Sequence, residues 1–151
     1  MRIVLQRVTQ ASVQIDEIIT AEIESGFMVL LGIENDDQED DLKWLIHKLN
    51  GLRIFNDDKG KMNLSIQDIK GAFLVISQFT LFASCQKGNR PSFIKSANPE
   101  IAKPLYHQFI TELEEVSKLK VKTGEFGADM KISLVNDGPV TIILDSKNKE
   151  L

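Results

Sequence analysis

A chain of 151 residues, 42% apolar and 26% charged, has the size and composition of one globular domain that can bury a core without disulfides or structural metals. Its lone cysteine, Cys85, excludes an internal disulfide and a cysteine-rich zinc site, and suits a reducing compartment. A net charge of −4 argues against broad gripping of a nucleic-acid backbone, which needs many phosphate-neutralising cations, but leaves room for holding one short single-stranded end.

The opening is β in character. Residues 2–8 and 12–15 are expected as two short strands; in the second, Val13 and Ile15 alternate with polar neighbours. The apolar run in the first is too short for a signal peptide, and no later stretch approaches the ~20 residues of a membrane span, so the expectation is a cytoplasmic protein with no membrane partner. Asp16-Glu17 marks a turn before a strand at 18–23. After Gly26, residues 27–33 form a nearly unbroken apolar run, as in a strand buried on both faces. A helix follows, with Asp36 as N-cap, Glu39 completing a capping box and Gly51 closing it in a left-handed conformation. Leu42, Leu45, Ile46 and Leu49 make its buried stripe. Residues 52–55 suggest a short strand, 56–60 a turn and 72–76 a second buried strand. Residues 83–96, holding Gly88 and Pro91, suggest a surface loop with Lys87, Arg90 and Lys95. Asn98-Pro99 opens a second helix whose stripe is Leu105, Phe109, Leu113 and Val116, with Pro104 expected to force a kink or a 3₁₀ turn. Strands at 131–135 and 140–144 flank Asn136-Asp137-Gly138-Pro139. The expected fold is α+β: a single domain, residues 1–146, with a mostly antiparallel, barrel-like sheet, two main helices outside, and a frayed tail at 147–151.

Much familiar chemistry is absent. His47 and His107 both fall in helical patterns and suit a helix surface better than a base. There is no Gly-x-Ser-x-Gly elbow, no Gly-rich phosphate loop and no metal-spaced cluster, so no metal or cofactor is expected. An enzyme built this way needs a substrate that is already reactive or brings its own catalytic group. Two segments stand out. Ser77-Gln78-Phe79-Thr80-Leu81 ends a buried strand, either as a plain polar exit or as a place where donors are held rigidly toward a ligand. Asn136-Asp137-Gly138-Pro139 is either an ordinary hairpin turn or a rigid element with a cis Gly-Pro bond.

Together these segments resemble the D-aminoacyl-tRNA deacylase family over nearly the whole chain. The resemblance is carried by MRIVLQRVTQASV at 1–13, GLRIF at 51–55, KMNL at 61–64, SQFTL at 77–81, RPSF at 90–93, TGEFGADM at 123–130 and SLVNDGPVT at 133–141. Seven matches in order are far more specific than any one of them. The resemblance implies a homodimer with its active site at the interface and the 3′ end of aminoacyl-tRNA as partner. Ser77, Gln78, Phe79 and Thr80 would be the catalytic segment, with Phe126 and Met130 lining the pocket. Gly138 and Pro139 would form a Gly-cisPro element that enters the other subunit's pocket and rejects L-amino acids. The implied reaction is hydrolysis of D-aminoacyl-tRNA, and of glycine mischarged on tRNA-Ala, assisted by the RNA's own 2′-hydroxyl. The competing readings are a noncatalytic tRNA 3′-end-binding module of the same fold and a dimer module without a ligand.

Overall fold

The strand that opens the sequence runs on past its expected end, although its alternation slips where Arg7 and Val8 are both buried and Thr9 and Gln10 both exposed. In the computed structural model, which describes residues 1–150, β1 (Arg2–Ile15) is one strand and not the expected two. Its first half pairs antiparallel with β3 (Gly26–Gly32) and its second half with β2 (Ile18–Ile23). The change of neighbour falls at Thr9 and Gln10, both exposed; the backbone stays extended there because β8 (Lys131–Asp145) pairs along nearly all of β1. Asp16 and Glu17 both take positive φ, 47° and 65°, as the two-residue hairpin between β1 and β2 demands.

Two strands join the sheet in parallel. β6 (Ala72–Ser77) pairs with β3, and β7 (Lys120–Thr123) pairs with β6. Parallel neighbours need a long crossover. The first crossover carries α1 (Glu39–Gly51) and the ribbon of β4 (Phe55–Asn56) with β5 (Met62–Leu64); the second carries α2 (Pro99–Ser117). The result is a mostly antiparallel, nearly closed barrel-like sheet with two helices outside, in one domain.

The apolar runs of β3 and β6 serve two cores. Phe27, Val29, Leu31, Phe73 and Val75 pack beneath the helices with Leu42, Leu45, Leu49, Phe109 and Leu113. Their alternate residues Met28, Leu74 and Ile76 pack on the opposite face with Val8, Ala11, Val13 and Ile23. Each such fully buried side chain contributes about 1.5–3 kcal/mol, so the layered sheet is held from both sides.

The helix ends differ from the sequence expectations for local reasons. Asp36 does not cap α1: Asp37 N–H bonds to the Glu34 carbonyl and closes a separate turn. The Asp37 carboxylate takes the Glu34 N–H at 2.7 Å and the Met1 amino group. Gln38 is the N-cap, its N–H donating to Asp41 Oδ2 at 2.9 Å. Gly51 is the last helical residue, not a left-handed one, and Leu52 leaves extended. In α2 the buried stripe is Ala102, Tyr106, Phe109, Leu113 and Ser117; Leu105 is half-buried and Val116 is exposed. No 3₁₀ turn interrupts α2 at Pro104. The carbonyl deprived of its N–H belongs to Glu100, in the exposed first turn, where water can serve it. Lys147 reaches back to the Asp36 carbonyl at 3.0 Å and Lys149 lies over the Trp44 ring; Leu151, the end of the expected tail, lies outside the described residues. Among the described residues no helix is long and apolar enough to cross a membrane.

Candidate active site

β3 ends at Gly32, so β6 runs out of partner just beyond Ser77. Gln78 makes the last ladder bond, its N–H donating to the Leu31 carbonyl at 2.8 Å. The chain then bends into a 3₁₀ turn, Phe79–Phe82. Several contacts hold that turn. Ser96 Oγ donates to the Phe79 carbonyl at 2.8 Å, and Arg2 Nη1 donates to the Leu81 carbonyl at 2.8 Å. Phe82 is buried beneath, with the Arg2 guanidinium 4.9 Å above its ring. Gln78 Nε2 donates to Thr80 Oγ1. The N–H groups of Phe79 and Thr80 find no acceptor among the described residues, as the first N–H groups of a helical turn have none within it.

A cavity of about 610 Å³ opens beside this turn, large enough for a small ligand. Ser77, Gln78 and Phe79 line one side, Phe126 and Met130 another, and Leu31 and Ile76 contribute apolar surface. Five of the expected site residues are thus brought together. Thr80 does not line the cavity: it is exposed, one residue further along the turn. Gly138 and Pro139 do not line it either. A larger cleft of about 1180 Å³, lined by Gln10, Glu22, Lys70, Lys118 and Ser133 among others, holds none of the expected site residues.

Two residues that the sequence reading overlooked shape the cavity wall. Tyr106, buried in α2, donates its hydroxyl to the Val75 carbonyl at 2.8 Å and sets its ring 5.7 Å from that of Phe126. Burial pushes the Tyr106 hydroxyl far above the ordinary phenol range, so it stays protonated and keeps that bond. The signal was present: a tyrosine in an apolar helix stripe must find a partner for its hydroxyl. Gly124 gives Met130 its place. A Cβ there would collide with Met130 Sδ and lie 3.1 Å from Ile76 Cδ1.

The Gly138-Pro139 segment is not a hairpin turn between two strands. Both of its flanks belong to β8 and both pair with β1. Between the pairs Gln6–Thr141 and Val8–Asn136, Arg7 alone faces Asp137, Gly138, Pro139 and Val140, so these residues bulge out. Gly138 and Pro139 are exposed, and the bond between them is cis. The Asn136 side chain closes the bulge by accepting from the Val140 N–H at 2.8 Å and donating to the Val140 carbonyl at 3.2 Å. Arg7, only 3% exposed, anchors it from below. Its Nε donates to the Asp137 carbonyl at 3.0 Å and pairs with the Asp137 carboxylate at 3.1 Å, while Nη1 donates to the Ile54 carbonyl. Arg7 was also findable, because it shares strand parity with the inward Ile3 and Leu5, and a charge on that face needs partners. Gly138 has φ +132°, and a Cβ there would meet Val140 Cγ2 at 2.7 Å and Arg7 Nη2 at 3.2 Å. Both histidines are exposed on their helices.

The chain matches known proteins over nearly its whole length. The family model described as D-Tyr-tRNA(Tyr) deacylase matches residues 4–145. A protein of Flavobacterium psychrophilum called D-aminoacyl-tRNA deacylase is 58% identical over 150 residues, covering 99% of this chain and 100% of its own length. Proteins of the same name from Bacteroides fragilis and Thermosipho africanus are 57% and 54% identical over 99% and 97% of this chain, and 100% and 98% of theirs. Among solved structures, one titled c-Myc DNA Unwinding Element Binding Protein superposes with a TM-score of 0.90 at 39% identity, covering 96% of this chain and 98% of its own. A probable eukaryotic D-amino acid tRNA deacylase superposes with a TM-score of 0.80 at 17% identity, covering 95% of this chain and 97% of its own; at that identity it speaks to the fold alone.

Proposed function

Since this chain belongs to the D-Tyr-tRNA(Tyr) deacylase family, we propose that it is a hydrolase that cleaves the ester of D-aminoacyl-tRNA, releasing the free D-amino acid and the tRNA. The observation that carries the chemistry is the pair of N–H groups on Phe79, at the wall of the 610 Å³ cavity, and Thr80, next along the turn, that find no acceptor among the described residues.

The aminoacyl ester and terminal adenosine sit between Ser77–Phe79 and the Phe126–Met130 wall. Water attacks the ester carbonyl carbon, and the carbonyl oxygen becomes an oxyanion that accepts from the Phe79 and Thr80 N–H groups. The bond to the ribose oxygen then breaks, and that oxygen takes a proton. The vicinal 2′-hydroxyl of the RNA orients the water, which suits a pocket whose lining holds no histidine. Holding the ester fixed is worth about 7–11 kcal/mol, and one oxyanion donor about 2.7–4 kcal/mol. Thr80 is the rival nucleophile, but its hydroxyl meets only the Gln78 amide, which cannot serve as a base. Thr80→Ala is therefore expected to retain turnover; its loss at unchanged substrate binding would move the chemistry onto the protein.

The exposed bulge at Gly138-Pro139 supports the rest of the reading. A convex, firmly anchored element that does not line its own cavity fits the partner's cavity in a homodimer, and two-fold symmetry gives two such sites. Its backbone stands where an L side chain would project, so discrimination is by clash. Glycine has no side chain to reject, and glycyl-tRNA mischarged on tRNA-Ala becomes a second substrate. We place the enzyme with its substrate, in the cytoplasm.

Release of amino acid from matched D-tyrosyl-, glycyl- and L-tyrosyl-tRNA, with chelator present, tests all of this. Fast D release, slower glycine release and no L release are expected. A folded dimer that releases none would favour a second reading, a noncatalytic tRNA 3′-end-binding module of the same fold. The name of the 39% identical solved protein is the observation that favours it.

A further inference from the structure

The chain carries a net charge of −4, yet residues 83–96 hold Lys87, Arg90 and Lys95 and no carboxylate. All three cations are exposed, and among the described residues none lies within ion-pair distance of an acid. The segment is not loose. Ser84 and Ser92 exchange backbone hydrogen bonds of 2.8 and 2.9 Å. Ser96 N–H donates to the Phe93 carbonyl at 2.9 Å, and Ala97 N–H donates to the Ile33 carbonyl at 2.9 Å, just past the end of β3. With the Ser96 hydroxyl on the Phe79 carbonyl, these bonds staple the basic segment to the rim of the candidate active site. Phe93 lines the cavity, is 37% exposed, and stands edge-on to Phe79 with ring centroids 5.1 Å apart.

Uncompensated cations cost little in solvent, and three of them within one short segment pinned beside the cavity offer an anion a place to be held. Cations that can follow a backbone, beside an aromatic ring offering a face to a base, are how single-stranded nucleic acids are held. Resting on the deacylase reading, we propose that this rim is a second subsite, for the single-stranded nucleotides immediately 5′ of the terminal adenosine. Lys87, Arg90 and Lys95 neutralise the phosphodiesters that lead out of the cavity, and Phe93 stacks on the penultimate base. An overall acidic protein would thereby hold one RNA end without binding duplex broadly.

The test compares two substrates: full-length D-tyrosyl-tRNA, and 3′-O-(D-tyrosyl)adenosine, which lacks every upstream nucleotide. For the triple variant K87A/R90A/K95A, kcat/KM on the tRNA substrate is expected to fall about tenfold or more at low salt. The salt dependence should become shallower by about 2 in log–log slope, at about 0.7 per single-strand phosphate. Turnover of the adenosine substrate should be unchanged. Phe93→Leu, which keeps bulk but loses the stacking face, should lower the tRNA-to-adenosine rate ratio about fivefold. Equal loss on both substrates, or no loss on either, overturns the proposal. If the wild type cleaves neither, the deacylase reading fails. The subsite is then judged alone, by anisotropy of a labelled, uncharged CCA-ended oligonucleotide: salt-dependent binding weakened in the triple variant supports it, and identical binding overturns it.

Discussion

The Ser77–Phe82 turn and the Asp137–Val140 bulge are both places where a strand leaves its ladder, and they treat the freed backbone groups in opposite ways. The turn is concave, beside a cavity, and keeps two N–H groups unspent at Phe79 and Thr80. The bulge is convex and exposed, and it is tied down at both ends, the Asp137 carbonyl to Arg7 and the Val140 N–H and carbonyl to Asn136. Unspent donors in a rigid frame can stabilise charge that develops only during reaction, because they need no reorganisation when it appears. A bulge pinned at both ends holds its shape, which is what exclusion by clash requires. On the proposed function the two regions divide the work between attracting the reacting ester and repelling the wrong side chain.

The strongest way to break this contrast is to spend a donor. Phe79→Pro removes one N–H at the first position of a helical turn, where proline is tolerated, and Phe79→Leu controls for the ring. Single-turnover rates should fall about 10²–10³-fold for the proline variant relative to the leucine variant. Equal rates would mean that the unspent groups are structural leftovers. On the other side of the contrast, Arg7→Ala strands the carbonyls of Ile54 and Asp137. Urea unfolding should show a loss of about 2–6 kcal/mol, at about 1–3 kcal/mol per stranded group, and the D-over-L preference should shrink with it. A destabilised protein with its preference intact would detach selectivity from the anchoring of the bulge.

Smaller changes sharpen the picture. Gly124→Ala should push Met130 into the cavity, at an overpacking cost of about 1–3 kcal/mol. KM should rise more for D-tyrosyl- than for D-alanyl-tRNA, since the space lost is side-chain space. The smallest effect is electrostatic. Burial by itself would raise the Asp145 pKa, but the Arg2 hydrogen bond and charge, with the N–H groups of Lys147 and Asn148, outweigh it and hold it below the usual carboxylate range. The stability it contributes is therefore fully present above the unfolded-state value of about 3.9 and is lost as pH falls through the lower folded value. Arg2 is 32% exposed, so about 1 kcal/mol or less is at stake. Asp145→Asn should flatten the acid limb of the stability profile below about pH 4 and leave turnover near neutrality unchanged.

Local pattern carried a large part of the molecule. The two halves of β1, read as separate strands, the double-sided apolar runs of β3 and β6, and the stripe of α1 were legible, because each follows from side-chain period and burial. Ser77, Gln78, Phe79, Phe126 and Met130, which the family motifs single out, line one cavity. The N-cap of α1 was misplaced because a separate turn, closed by the Asp37 N–H on the Glu34 carbonyl, takes up Asp36 and delays the helix to Gln38. Val116 was read as core because a helix period cannot say how far around the helix the sheet reaches.

What the sequence determined by itself was the inventory: which strands are buried on both faces, which helix stripes are apolar, and which short motifs mark the family. Tertiary structure alone decided that Gly138-Pro139 bulges from one continuous strand, since a turn signal is local while its pairing partner, β1, lies some 130 positions away. It also decided that Thr80 stands outside the cavity whose wall its neighbours form, and that the Phe79 and Thr80 N–H groups go unpaired. A hydrogen bond is absent only by virtue of what fails to approach, and the approach of distant segments is the one thing that local propensity does not encode.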